Sequence, residues 1–599
     1  MLSCVILIGA MVAETTGLGT YGPYESLWSI SVSPDGSYWW ARAKDGAREY
    51  LVVNGKELGP FGYVMDAAFP TGGLAWCVRV KKAGKEYLVT PSKELGPYTE
   101  LDGPKLAPDG SGWGFLAKKS DKEYVIIGGK EHGPYDEAGD IRLHDKGAWG
   151  FWARNKGSYY VVVDGKEWGP YQPYKPEVDV GAMAWEFFAE GLNWRCVTGD
   201  SKKKYQVFIN GKKWGPYEEV DWENIRFSPN DSSWGFVAGK GDKKYVVING
   251  KTLGPYNGAG EPAFPSVGTA WGFVARKGDW ETGKRYVIIG GQEWGPYDYA
   301  EDPRFSPDGM AWGFVARKGD WETGKRYVII SGQEWGPYDY AEGPRFSPDG
   351  TTWGFKARNM GKEYMVINGK VWGPYDNAWD LRFSQAGPTW GFVAMKADKY
   401  YVIVGGKEFG AYGSYDIVER LDVSPDGSSW GMRAKKGEDY HLVINGKKWG
   451  SYEEAGEMAF SASGSGWCTR VKKGGDSYMI INGKSWGPYE EFGNCEFSPD
   501  GASWGMRVKK GGSFYLMING KTLGPYEDAG DCLFSPDGST WAFVFMRTGK
   551  YYLNIGGKEL GPYDSVGGLA YSPDGALMLY DGVRIEGNYW RIERVRLSF

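Results

Sequence analysis

Apolar positions along this chain come in short bursts separated by glycine-rich polar turns, and no stretch keeps the ~3.6-residue spacing of a helix of ordinary length. Residues 490–526 show the pattern most clearly. Asn494–Ser498 is a short apolar-bearing segment turned by Pro499-Asp500-Gly501, and Ser503–Lys509 then sets Trp504, Met506 and Val508 on one face. After Lys510-Gly511-Gly512 comes the nearly continuous apolar run Phe514–Ile518, then Asn519-Gly520, then Thr522–Tyr526 with Leu523 and a terminal Gly-Pro-Tyr. Period-two alternation predicts four strands, and Asp-Gly and Asn-Gly supply the positive φ angles that tight hairpin turns require. Proline has no N–H to give a central ladder, so the fourth strand is expected at a sheet edge.

The same unit recurs along the chain. Gly-Pro-aromatic, or a near variant, occurs fifteen times between Gly22 and Gly561 at intervals of 36–46 residues, most often 37. A fixed period in this range means stacked supersecondary units. Fourteen of the fifteen units carry a Trp shortly after the first turn, from Trp39 to Trp541, with Met578 in the last. Such regularity predicts packing between neighbouring units rather than fifteen binding sites. The expected fold class is therefore all-β, with tandem β-propellers built from about 15 four-stranded antiparallel blades. Propellers of ordinary size would divide them seven plus eight: one ring over residues 20–297, a second over 298–599, the last blade completed by residues 20–24. Trp271–Phe305 and Trp312–Phe346 are duplicates that differ only at Gly290/Ser331 and Asp302/Gly343.

Ser-Pro-Asp-Gly stands between the first two strands at Ser33, Ser306, Ser347, Ser424, Ser498, Ser535 and Ser572. In this the chain resembles the TolB-type, WD40-like propeller repeat over roughly residues 20–580. The resemblance implies the propeller fold and leaves activity open, since such repeats serve many scaffolds. Two features depart from it. The period is shorter than the ~40–45 residues of WD40 blades, and Gly-Pro-Tyr is foreign to the common pattern.

With 70 basic against 75 acidic residues in 599, the net charge of −5 gives no reason to expect a nucleic-acid partner. The six cysteines include no C-x-x-C pair and are expected to act as small buried hydrophobes. The apolar run within residues 1–19 reads as a signal segment with a clipped or mis-called start ahead of an ordinary buried strand, which favours an extracytoplasmic location, periplasmic or secreted, over a cytoplasmic one. It is too short for a mature transmembrane helix, and no other stretch qualifies as one.

Three histidines, His132, His144 and His441, stand apart at no ligand spacing, which argues against His-based catalysis and multi-His metal sites. No nucleophile elbow or phosphate-binding loop is present, and no cofactor is expected. Loop lengths say more. Insertions fall on the face carrying the second turn and the unit-to-unit connection, bringing Tyr174, Trp222, Asp279, Trp280, Asp320, Trp321 and Tyr415, with Arg285 and Arg326 close behind the enlarged turns. Aromatics beside carboxylates on one face are expected to bind a partner, with Trp280 and Trp321 foremost. The leading expectation is a non-enzymatic protein- or peptide-binding scaffold. A carbohydrate-binding propeller is the alternative, followed by a glycan-cleaving enzyme that uses acidic residues.

Overall fold

The computed structural model describes residues 3–8, 11–21, 23–32, 39–68, 76–107, 109–144, 147–171, 184–187, 194–199, 204–230, 232–413, 415–566, 569–571, 577–586 and 589–598. The turns at Ser33 and Ser572 lie outside the described residues, as does most of the connection after Gln172. Strand dominates, and the described residues form fifteen separate antiparallel sheets, most of four strands in hairpin order. That is the construction of propeller blades, repeated once per sequence unit.

One sheet illustrates the rest. Tyr299–Ala300 and Arg304–Phe305 both pair with Trp312–Lys318, which pairs with Lys325–Ile330, which pairs in turn with Gln333–Tyr338. The first strand is split across residues 301–303, and the same split recurs without a proline between Ala455 and Ala459 and between Ala529 and Leu533. In the unit beginning at Asn377, Asn377–Phe383 instead runs continuously through a bulge with Asp380 at φ 58°. The Gly-Pro-Tyr strand lies at the sheet edge, as its proline requires. Its glycine is needed for close approach: Gly336 has φ 141°, and a Cβ there would come 2.9 Å from the Arg326 carbonyl oxygen.

The Asn of the third turn has two tasks. Asn249, Asn368 and Asn519 adopt φ 45–50°, which Asn tolerates better than most residues. Each side-chain oxygen also accepts the backbone N–H of its unit's Trp at 2.9 Å, latching the turn to the second strand. In the first turn, Ser306 Oγ donates to Asp308 and accepts the Ala311 N–H at 2.9 Å, so Ser-Pro-Asp-Gly closes on itself.

By compactness the chain falls into two units, residues 1–215 with 525–599, and residues 216–524. In both units the core lies between successive sheets. In residues 216–524, Val274, Val287 and Tyr297 of one sheet pack on Ala300, Phe314, Ala316 and Ile329 of the next. In the other unit, Leu51, Val53 and Phe61 meet Val64, Trp76 and Val78 in the same way. Burial on both faces of the middle strands explains their continuous apolar runs. The repeat Trp side chains join across sheets: Trp294 meets Trp312 at 5.1 Å and Trp335 meets Trp353 at 5.6 Å. Of the described cysteines, Cys77, Cys196, Cys468 and Cys532 are buried thiols and Cys495 is half-buried.

The first unit also holds the one sheet of six strands among the described residues. There Met11–Tyr21 pairs with Tyr589–Ser598, and Ser3–Ile8 pairs with Met11–Tyr21. The run read from sequence as a signal segment thus lies in strands.

Candidate functional site

Within residues 216–524 the two enlarged second turns have one local design. Asp279 Oδ1 accepts the Thr282 N–H at 2.7 Å and its Oγ1 at 2.8 Å, and Asp320 Oδ1 accepts the Thr323 and Glu322 N–H groups at 2.7 and 2.9 Å. These bonds hold both carboxyls below the usual carboxylate range: for Asp279 the Thr282 backbone bond acts first, for Asp320 the Thr323 hydroxyl. Asp279 and Asp320, expected to touch a partner, are therefore engaged in shaping their own turns. What the turns hold outward is Trp280 at 80% exposure and Trp321 at 73%.

Each indole is backed by an arginine from the second strand, Arg276 at 5.0 Å from the Trp280 ring and Arg317 at 4.6 Å from that of Trp321. The other expected arginines stack as well. Arg285 lies 4.7 Å from the Tyr299 ring and Arg326 lies 4.6 Å from that of Tyr340. Tyr299 links the two copies, with Arg317 5.7 Å from its ring and Trp321 edge-on at 6.4 Å. Each such stack is worth ~0.5–2 kcal/mol depending on desolvation. Cross-strand register makes this possible, since Tyr299 stands opposite Arg317 and Arg317 opposite Arg326.

A cavity of about 420 Å3 opens beside the first copy, lined by Arg276, Trp280, Arg285, Tyr299, Glu301 and Asp302 among others. A second cavity of about 560 Å3 adjoins it through Gly260 and Asp302, with Glu219, Asp221, Lys244 and Glu261 on its walls. Asp302 is exposed as a residue, yet its carboxyl is set back where the cavities meet. That burial, with the Glu261 charge, raises its pKa above the usual carboxylate range, and Arg285 opposes the rise.

The remaining expected residues are scattered. Trp222 begins the 3-10 turn Trp222–Asn224, whose Asp221 caps the Glu223 N–H at 3.1 Å. Tyr174 lies outside the described residues. Tyr415 corrects the sequence reading: it is only 7% exposed, packed in the core 5.4 Å from the His441 ring, and offers no surface. An inserted aromatic at a loop base turned inward because its neighbours Tyr412 and His441 leave an apolar place for it. Sequence reasoning missed Arg276, Tyr299, Arg317 and Tyr340. Their signal lay in register, since each pairs with or adjoins a residue that was noticed.

Among the described residues no group of three or more His, Cys, Asp or Glu is placed to hold a metal ion. Among the described residues no helix is long and apolar enough to cross a membrane.

No family model matches the chain, and no curated protein matches it. Among solved structures it is similar to the β-propeller domain of Cps50 (Swd1) from Myceliophteria thermophila, at 11% identity and a TM-score of 0.18, over 49% of this chain and 94% of that one. Likeness at that level carries no argument. The fold rests on the strand order and register of the sheets.

Proposed function

We propose that this chain is a non-enzymatic scaffold that captures a protein or peptide on the enlarged second turns of the duplicated units. The observation that carries the reading is the pair of outward indoles, Trp280 and Trp321, each held by an ordered turn and backed by a stacked guanidinium. Large rigid aromatics presented in this way supply most of the energy at protein interfaces. Trp280→Ala with Trp321→Ala removes both without touching the core. The double variant is expected to melt like the parent and to lose the partners that the parent retains in a pull-down from its native source. Unchanged retention would overturn the reading.

The carbohydrate alternative draws on the same indoles, with Glu281 and Glu322 beside them to receive sugar hydroxyls. A glycan array separates the two, because a glycan signal lost in the double variant, with no protein captured, would favour the sugar.

A further inference from the structure

The arginines of this surface keep unusual company. Arg276 stands directly opposite Arg285 across one strand pair, and Arg317 directly opposite Arg326 across the next. Like charges at facing positions destabilise a ladder, so two neighbouring sheets that each keep such a pair need compensation. Among the described residues none of the four forms an ion pair with a carboxylate. They stack on aromatic rings, and their hydrogen bonds go to backbone carbonyls, from Arg276 to Gly278 and Asn257 and from Arg326 to Ala341. Arg317 Nε is buried and finds no acceptor in the protein. Stacking orients each guanidinium plane while leaving edge N–H donors unspent, and that fork matches a carboxylate two bonds at a time.

The surroundings select among anions. Asp279, Glu281, Asp320 and Glu322 occupy the same turns as the indoles and would repel a continuous polyanion such as nucleic acid or a sulfated glycan. Separate carboxylates spaced along an extended chain can meet the arginines individually and avoid those acids, while apolar side chains between them lie on Trp280 and Trp321. We propose that this surface recognises an acidic, apolar-containing peptide segment of a partner protein, its carboxylates taken by the Arg276/Arg285 and Arg317/Arg326 pairs. The inference rests on the scaffold reading above and gives it a ligand chemistry.

The duplication ranks the two copies. Asp302 stands in the cavity of the first copy and opposes an incoming carboxylate. At the matching place in the second copy stands Gly343, with the Arg304 guanidinium 3.2 Å from where a Cβ would be. The second copy is therefore the stronger half of the surface.

The test measures fluorescence anisotropy of the full chain with a short labelled peptide of alternating Glu and Leu, and with its Gln counterpart. The Glu peptide is expected to bind at least about tenfold more tightly than the Gln peptide, and Arg326→Gln to weaken it by about tenfold. Asp302→Asn should tighten it severalfold, a gain that misfolding cannot produce. The idea is overturned by any of four results: no binding of the Glu peptide, equal binding of the Gln peptide, no gain in Asp302→Asn, or tighter binding of heparin or single-stranded DNA. If the Gln peptide binds as well as the Glu peptide while the double Trp variant still loses its native partners, the acidic chemistry falls and the scaffold stands. If the double variant keeps its native partners, the scaffold reading itself falls.

Discussion

At the residue scale the chain separates aromatics that hold the fold from aromatics free to act. Phe314 is 1% exposed between two sheets, while Trp312 two residues earlier is half-buried, stacked on Phe314 at 6.0 Å and closing the rim of the same core. The repeat Trp drew attention in the sequence, but the fully enclosed ring is the phenylalanine. Replacing Phe314 with Ala opens a cavity in a close-packed layer and is expected to cost ~3–5 kcal/mol in denaturant unfolding. A loss under about 1 kcal/mol would show that the sheets do not pack on that ring. Trp280→Ala, at 80% exposure, should stay within ~0.5 kcal/mol of the parent in the same assay. The contrast is a direct measure of which aromatics are structural.

At the element scale, one acidic residue after most Gly-Pro-Tyr strands ties its sheet to the next. Asp298 accepts from Lys284 Nζ of its own unit and from the Gly319 N–H of the following turn at 2.8 Å. Asp339 and Asp376 repeat the arrangement with Lys325 and the Met360 N–H, and with Lys362 and the Ala397 N–H. The lysine bond first, then the backbone N–H, holds all three carboxyls below the usual carboxylate range. A carboxyl depressed on folding contributes stability that is fully present above its unfolded pKa of ~3.9 and is lost as pH falls through the lower folded value. Acid unfolding below about pH 4 should therefore be steep, and Asp298→Asn, Asp339→Asn and Asp376→Asn together should flatten it while lowering stability at neutral pH. A variant with the parent's slope would mean that the clasps contribute nothing. Such clasps were not legible in the sequence, because Asp298 meets Gly319 only once the neighbouring sheet is in place. Turns were legible, since Asn-Gly at Asn519-Gly520 needs nothing beyond its own backbone geometry. The candidate surface lay between these cases. Trp280 and Trp321 were visible as insertions, but Tyr299 and Arg317 needed cross-strand register, and the inward turn of Tyr415 needed knowledge of its neighbours.

At the scale of the whole chain, the last repeat is the one unit followed by no Gly-Pro-aromatic strand or near variant, and Met11–Tyr21 takes that place. Leu577–Glu586 pairs with Tyr589–Ser598, which pairs with Met11–Tyr21 at nine positions from Val12 to Tyr21. Stacked repeats gain their stability from neighbour contacts, so the sheet joining the two ends of a chain protects every unit that leans on it. Without its partner, Tyr589–Ser598 would present a long unpaired edge, which invites association between molecules. Removing residues 1–21 is therefore expected to lower Tm by at least several degrees and to make the protein associate on heating. A truncated chain that melts with the parent and stays monodisperse by light scattering would show that this sheet is dispensable. The comparison also bears on the binding surface. Its strands lie within residues 258–367, in the other compact unit, which has its own cores between successive sheets. Peptide binding by the truncated chain at low temperature should therefore match the parent even where its Tm does not.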